Sequence, residues 1–410
     1  MRRILFLTSV YDFHDKGNLN VDLIDVIVKH GNEVTVITPK ERKYKLNERV
    51  ENHGHITTLQ FKCLNFRGKV NVIEKGISTL FLGHQYKHAV KKYFGEIPFD
   101  IVIYTTLPIT YLPVLKFVKE KYGTYCYLQH KDFFPQSAVD LEIIKKGSIV
   151  YCLFKRIERK LFLISDKIGL MSPKNVEYIL RENPWLEKEK TEYCPNGINP
   201  TSDEKIASLR RNKMAIRNKY RIPNDAVVFI YGGNISRAQG VEFIKKMLTI
   251  LSDNAIKRAY FLLIGSGNEY DSLKNHIDSL DCSFIKMLSS MPKNEFDEIL
   301  STADVGMVFL DQRFTIANIP SRTLSHMDMG QAIIAATDDF TDYRELIENN
   351  ELGLWCLNGD EDAMLNNINK MVLDDIFREK CGQNARNYLV NHSTAEIAYS
   401  IIERSYSIRR

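Results

Sequence analysis

The chain is predicted to be α/β, built as two doubly wound parallel-sheet domains. Three observations predict it. Short apolar, β-branched runs alternate with stretches of helical spacing, the pattern of strand–helix–strand units with right-handed crossovers. That alternation stops at Cys194-Pro195-Asn196-Gly197-Ile198-Asn199-Pro200, a run dense in turn formers, and then begins again. The length, 410 residues, is too great for one ordinary core and fits two domains of about 200 residues. The first domain is expected over residues 1–195 and the second over 200–390, with a last helix at 393–410 packing back on the first.

In the first domain, Ile4-Leu5-Phe6-Leu7-Thr8 reads as a buried strand, and a loop with Gly17 leads to a helix from Leu19 to Val28. Gly31 ends that helix, and Glu33–Thr38 is the second strand. Residues 40–72 are polar and show no clear period. Residues 73–94 have helical spacing, with Lys75, Lys87, His88, Lys91 and Lys92 among Ile73, Ile77, Leu80, Phe81 and Leu82. Strands at Asp100–Tyr104 and Tyr125–Leu128 flank a helix near 110–122. Gln129-His130-Lys131-Asp132-Phe133-Phe134-Pro135 follows the carboxyl end of a strand, where doubly wound sheets place ligands. Residues 149–164 form a basic amphipathic helix, with Lys155, Arg156, Arg159 and Lys160 between Leu153, Phe154, Ile157, Leu161 and Phe162. A strand at Lys167–Met171 and a helix near 173–181 follow.

The second domain repeats the pattern, with strands at 226–231, 259–264, 283–287, 305–310, 332–336 and 353–356. Two of its strand-to-helix turns stand out. Tyr231-Gly232-Gly233-Asn234-Ile235-Ser236-Arg237-Ala238-Gln239-Gly240 joins an apolar strand to a helix. Its glycines admit a ligand close to the backbone, the helix start offers free N–H groups to an anion, and Arg237 adds a donor fork suited to phosphate. The second turn, at Asn318–Gly330, has Asn318 as a helix cap, Pro320 in a first turn and Arg322 beside it. Two such turns, each with an arginine, point to a diphosphate; ordinary capping with solvated arginines is the plain alternative.

Charge is uneven. Residues 1–199 hold 31 Lys and Arg against 22 Asp and Glu, a net +9, while residues 200–410 hold 25 against 29, a net −4. With the basic helix at 149–164, this leads us to expect peripheral contact with anionic membranes through the first domain. No apolar run approaches a membrane span, the stretch after Arg2-Arg3 is short for a signal peptide, and seven scattered cysteines imply reduced thiols. The expected location is therefore cytoplasmic, peripheral on the plasma membrane's inner face. No nucleic-acid module accompanies the basic residues. No Cys/His cluster has ligand spacing, so no metal is expected.

Several separated motifs resemble the family-4 retaining glycosyltransferases, whose GT-B architecture is two Rossmann-like domains facing across a cleft. Pro195-Asn196-Gly197-Ile198 resembles that family's interdomain turn, and Gly233–Gly240 its donor phosphate loop. Ala303-Asp304-Val305-Gly306 resembles the usual start of a strand, and Pro320-Ser321-Arg322 through Gly330 the Pro-Ser-Lys/Arg variant of the donor helix. Asp132-Phe133-Phe134-Pro135-Gln136-Ser137 resembles the Asp-x-x-Pro-Glu-Ser stretch of bacterial polysaccharide and O-antigen transferases. Together they span nearly the whole chain.

The resemblance implies transfer of a sugar, with retained configuration, from a nucleotide sugar to a lipid-linked or oligosaccharide acceptor in surface polysaccharide (capsule or O-antigen) synthesis. A UDP-sugar is the favoured donor, an N-acetylated amino sugar among the candidates, and it is a substrate, so no cofactor is implied. By position, Arg237 and Arg322 hold the diphosphate and Gly232 and Gly233 give backbone access. Asn234, Gln239, Gly265, Ser321, Thr323 and Ser325 complete the donor site, and Gly17 lies over the phosphates. His130 and Asp132 match the catalytic loop of the first domain. The chain departs from the family at Gln239, where a lysine is usual, and at Ala317 and Ser325, where two glutamates are usual. Rival readings are another GT-B enzyme such as a UDP-sugar epimerase, and a non-catalytic partner. For His130 and Asp132 taken alone, a structural histidine and a turn residue are the plain alternatives.

Overall fold

The computed structural model describes residues 1–15, 17–45, 47–66 and 71–409, with the backbone alone of residues 72 and 73. It divides into two compact units, one of Met1–Asn199 with Ala395–Arg410 and one of Pro200–Thr394.

The first unit holds an eight-stranded sheet. Its strands are β1 (Arg3–Leu7), β2 (Glu33–Glu41), β3 (Arg49–His53), β4 (Ile56–Cys63), β5 (Ile101–Thr105), β6 (Tyr125–His130), β7 (Lys167–Leu170) and β8 (Thr191–Tyr193). Their order is β3-β4-β2-β1-β5-β6-β7-β8. All pairs are parallel except the β3–β4 hairpin. That hairpin, residues 49–63, lies within the unassigned 40–72 stretch. Its outer strand, β3, is exposed along most of its length and carries Arg49, Glu51, Asn52 and His53, so no apolar period marks it. The helix expected at 73–94 runs Val72–Phe94, the Ile73 side chain lying outside the described residues. The basic helix is Ile149–Ile164, started by Ser148, whose side chain accepts from Tyr151 N at 3.2 Å. The last helix, Ala395–Ile408, packs on the Leu19–Lys29 helix through Ala398, Tyr399 and Ile402.

The second unit holds β9 (Val227–Asn234), β10 (Ala259–Ser266), β11 (Ile285–Ser289), β12 (Val305–Phe309), β13 (Ala332–Thr337) and β14 (Gly353–Leu357). The sheet is all-parallel in the order β11-β10-β9-β12-β13-β14. Both faces are covered: Phe229, Tyr231, Phe261 and Phe309 pack on one side, and Val228, Ile230 and Leu262 on the other. Two-sided burial is why these strands read as unbroken apolar runs. Arg217, in the Lys213–Lys219 helix, is among the largest fully buried side chains, at 2 % exposure. It donates to the carbonyls of Thr302, Pro223, Asn224 and Ala226 and pairs with Asp304 at 2.8 Å.

Each sheet reverses its winding once. In the first unit the chain winds outward from β1 through β2, then from β5 the other way; in the second it does so between β9 and β12. Ligands of doubly wound sheets sit beyond the strand ends at these switch points.

Candidate active site

At the second unit's switch point, β9 ends in Tyr231-Gly232-Gly233-Asn234. Gly233 has φ +125°, a conformation that favours glycine, and an added Cβ would sit 3.6 Å from the Arg322 guanidinium. Arg322 donates to the Gly232 carbonyl at 3.3 Å, and its guanidinium lies 4.5 Å above the centre of the Tyr231 ring. Tyr231, 1 % exposed, in turn donates its hydroxyl to the Asn234 carbonyl at 2.6 Å. The two turns singled out in the sequence therefore meet, through a stacked arginine whose charge is aimed at the glycine turn. The Tyr231 platform is the residue that sequence reasoning missed; its position directly before the glycine pair was the only signal.

The other expected donor residues divide. Arg237 belongs to a single 3-10 turn, Arg237–Gln239; its side chain is 71 % exposed and reaches Glu269 at 3.5 Å. Asn234 and Ser321 are exposed and Ser325 is half-buried, so all three are accessible. Gly265 lines up with Gly233 across β9 and β10, and a Cβ there would come within 1.9 Å of the Gly233 carbonyl oxygen, so its part is clearance for the turn. Three expectations need correction. Gln239 is buried, and its Oε1 accepts from Ser236 N at 3.1 Å and Ser236 Oγ at 2.7 Å, closing the turn rather than facing a ligand. Thr323 is 1 % exposed and shares a 2.7 Å hydrogen bond with the Tyr343 hydroxyl, so it points into the core. Asn318 is no cap either: the helix starts at Arg322, and Asn318 N donates to Thr341 Oγ1 at 2.6 Å. Ala317, where the resemblance would place a glutamate, is buried at 2 % exposure.

The sequence also contains one metal-like spacing, Asp360-Glu361-Asp362. Here Asp360 accepts from Ala363 N at 2.9 Å and caps the Glu361–Leu373 helix.

In the first unit, Thr106 Oγ1 accepts from Lys131 N at 2.9 Å and from Asp132 N at 2.8 Å, fixing the loop after β6 beside the end of β5. Asp132 presents its side chain to solvent. The protein gathered around it disfavours the charged form and pushes its pKa up to about 6, while Lys131 pulls it back down. Accessibility decides that a substrate can reach this carboxylate; the surrounding protein decides where it titrates. Burial lowers the neighbouring Lys131 to about 8, against pulls upward from Cys194 and Asp132.

His130 needs correction as a group that touches sugar or phosphate. It is 1 % exposed, set edge-on to Phe133 with centroids 4.5 Å apart and tilted against Phe162 at 5.3 Å. Burial first, and repulsion from Lys155 second, lower its pKa to about 3, so the ring is neutral at neutral pH. As the last residue of β6 its side chain turns into the packed face while the following loop turns out. Gly17, with φ +82°, spends its N–H on Asp22 Oδ1 at 3.0 Å, so that amide is taken within the loop.

Residues 212–388, most of the second unit, match the family model described as glycosyl transferases group 1. The second unit is thus similar to a group 1 glycosyl transferase domain. The chain is similar to the Pseudomonas aeruginosa protein named "Probable glycosyltransferase WbjE", 23 % identical over 318 residues that cover 76 % of this chain and 75 % of that protein. Among solved structures it is similar to HepE of Anabaena, determined with UDP and glucose, at TM-score 0.69 and 14 % identity over all of both chains. It is also similar to WaaG, a glycosyltransferase involved in lipopolysaccharide biosynthesis, at TM-score 0.67 and 16 % identity over 99 % of each chain. The two Rossmann-like units and this likeness place the fold in the GT-B class.

Proposed function

We propose that the chain is a retaining glycosyltransferase moving a sugar from a UDP-sugar to a lipid-linked or oligosaccharide acceptor of a bacterial surface polysaccharide. The observation that carries the reading is Arg322, held over Tyr231 and against Gly232 at the switch point of the second sheet. A permanent cation fixed beside an open glycine turn suits a leaving diphosphate, whose developing charge it would stabilise. UDP bound to HepE and the lipopolysaccharide role of WaaG support the choice of donor and product class. The Asp132–Ser137 stretch supports the same class. Arg322→Ala is expected to weaken UDP binding by about 1.5–3 kcal/mol, the scale of a hydrogen bond to a charged group. Exposed Arg237, paired with Glu269, is expected to contribute less. Titration calorimetry with UDP checks both, and unchanged affinity in Arg322→Ala would sink the assignment. Product analysis with UDP-sugar alone separates transfer from epimerisation.

The acceptor side favours a membrane. No helix among the described residues is long and apolar enough to cross one. Ile149 is 89 % exposed, and Ile143, Val150 and Leu153 are exposed beside Lys145, Lys146 and Arg156. Apolar tips ringed by basic groups suit insertion at an anionic interface. Replacing Ile149 and Leu153 by Ser is expected to reduce flotation with anionic liposomes while leaving UDP affinity unchanged. Equal flotation of both proteins at low salt would count against this face.

A further inference from the structure

Asp22 lies in the first turn of the Leu19–Lys29 helix and is 1 % exposed. A buried carboxylate is tolerated only when hydrogen bonds replace water. Here they come from two segments far apart in sequence. Oδ1 accepts from Gly17 N at 3.0 Å, and Oδ2 accepts from Asn199 N at 2.8 Å. Asn199 also donates through Nδ2 to the Asp22 carbonyl at 3.4 Å. Gly17 belongs to the loop leaving β1, at the first unit's switch point. Asn199 is the last residue of that stretch of the first unit, before the chain passes into the second. Helix capping does not account for Asp22, because Asn18 already caps this helix by accepting from Asn20 N at 3.0 Å.

We propose that Asp22 is a positioning residue that clamps the switch-point loop at Gly17 to the linker at Asn199, so that the loop's geometry follows the linker's path. One carboxylate with an oxygen for each segment does this with two charge-assisted bonds, which are short and directional. The kinetic consequence rests on the glycosyltransferase reading above; the clamp itself does not.

Hydrogen exchange of the full chain, read at the Gly17 and Asn199 amides without substrate, tests the clamp. In Asp22→Ala both amides are expected to lose protection together by about 10–100-fold, the equivalent of a lost bond to a charged group. Leu23→Ala loosens the packing of the same helix without touching either bond, and both amides should keep their protection relative to their neighbours. Asp22→Asn is expected to lower kcat while UDP affinity stays unchanged, because the second unit binds the nucleotide. Wild-type protection of either amide in Asp22→Ala, or the same paired loss in Leu23→Ala, overturns the proposal. A wild-type protein that transfers no sugar counts against the function and leaves the exchange result standing.

Discussion

Asp132→Asn is expected to lower kcat by roughly 10²–10⁴-fold, the range for a lost acid–base group, while UDP affinity stays unchanged. Asparagine preserves the shape of the loop held by Thr106 and removes only the charge. In the transfer reaction proposed above, the carboxylate would orient the acceptor hydroxyl, accept its proton, or stabilise positive charge developing at the anomeric carbon. Each role needs the ionised form, so wild-type turnover should fall as pH drops through about 6, where this group titrates. The variant should lack that acidic limb. The sign for stability is opposite to that of an ordinary paired carboxylate. With its folded pKa above the ordinary aspartate value, the folded protein binds this proton more tightly than the unfolded chain does, so Asp132 costs stability above about pH 6. Asp132→Asn should therefore be no less stable than wild type at pH 7. A pH profile and a thermal melt check both halves; full turnover in the variant would return Asp132 to a turn-forming role.

Arg217→Ala is expected to destabilise the second unit by about 3–5 kcal/mol, the cost of removing one member of a buried ion pair. Four carbonyl groups lose a donor, although Pro223 O keeps Ala226 N at 3.3 Å and Asp304 keeps Lys213 at 2.8 Å and Val228 N at 2.8 Å. Urea unfolding followed by intrinsic fluorescence checks it, with the two units allowed separate transitions. A loss under about 1 kcal/mol would show that the surrounding backbone finds other partners.

The second sheet was legible because its strands are buried on both faces. The apolar runs expected at 226–231, 259–264 and 332–336 become Val227–Asn234, Ala259–Ser266 and Ala332–Thr337, each longer at its carboxyl end. The extra residues, such as Gly232-Gly233-Asn234 and Gly265-Ser266, are small or polar, so no hydrophobic period reaches them. Local signals determined the strand–turn–helix alternation and the glycine turn at Gly232-Gly233, because backbone preferences depend on near neighbours. Tertiary structure decided which polar groups face out. Sequence spacing treats Arg217, Asp22 and His130 like any polar residue on a helix or at a strand end, yet all three are buried. The same holds for the paired arginines: Arg322 stacks on Tyr231, 91 positions earlier, while Arg237 turns to Glu269. Those partners come from other strands and loops, and only the assembled sheet brings them within the few ångströms over which hydrogen bonds and ring contacts act.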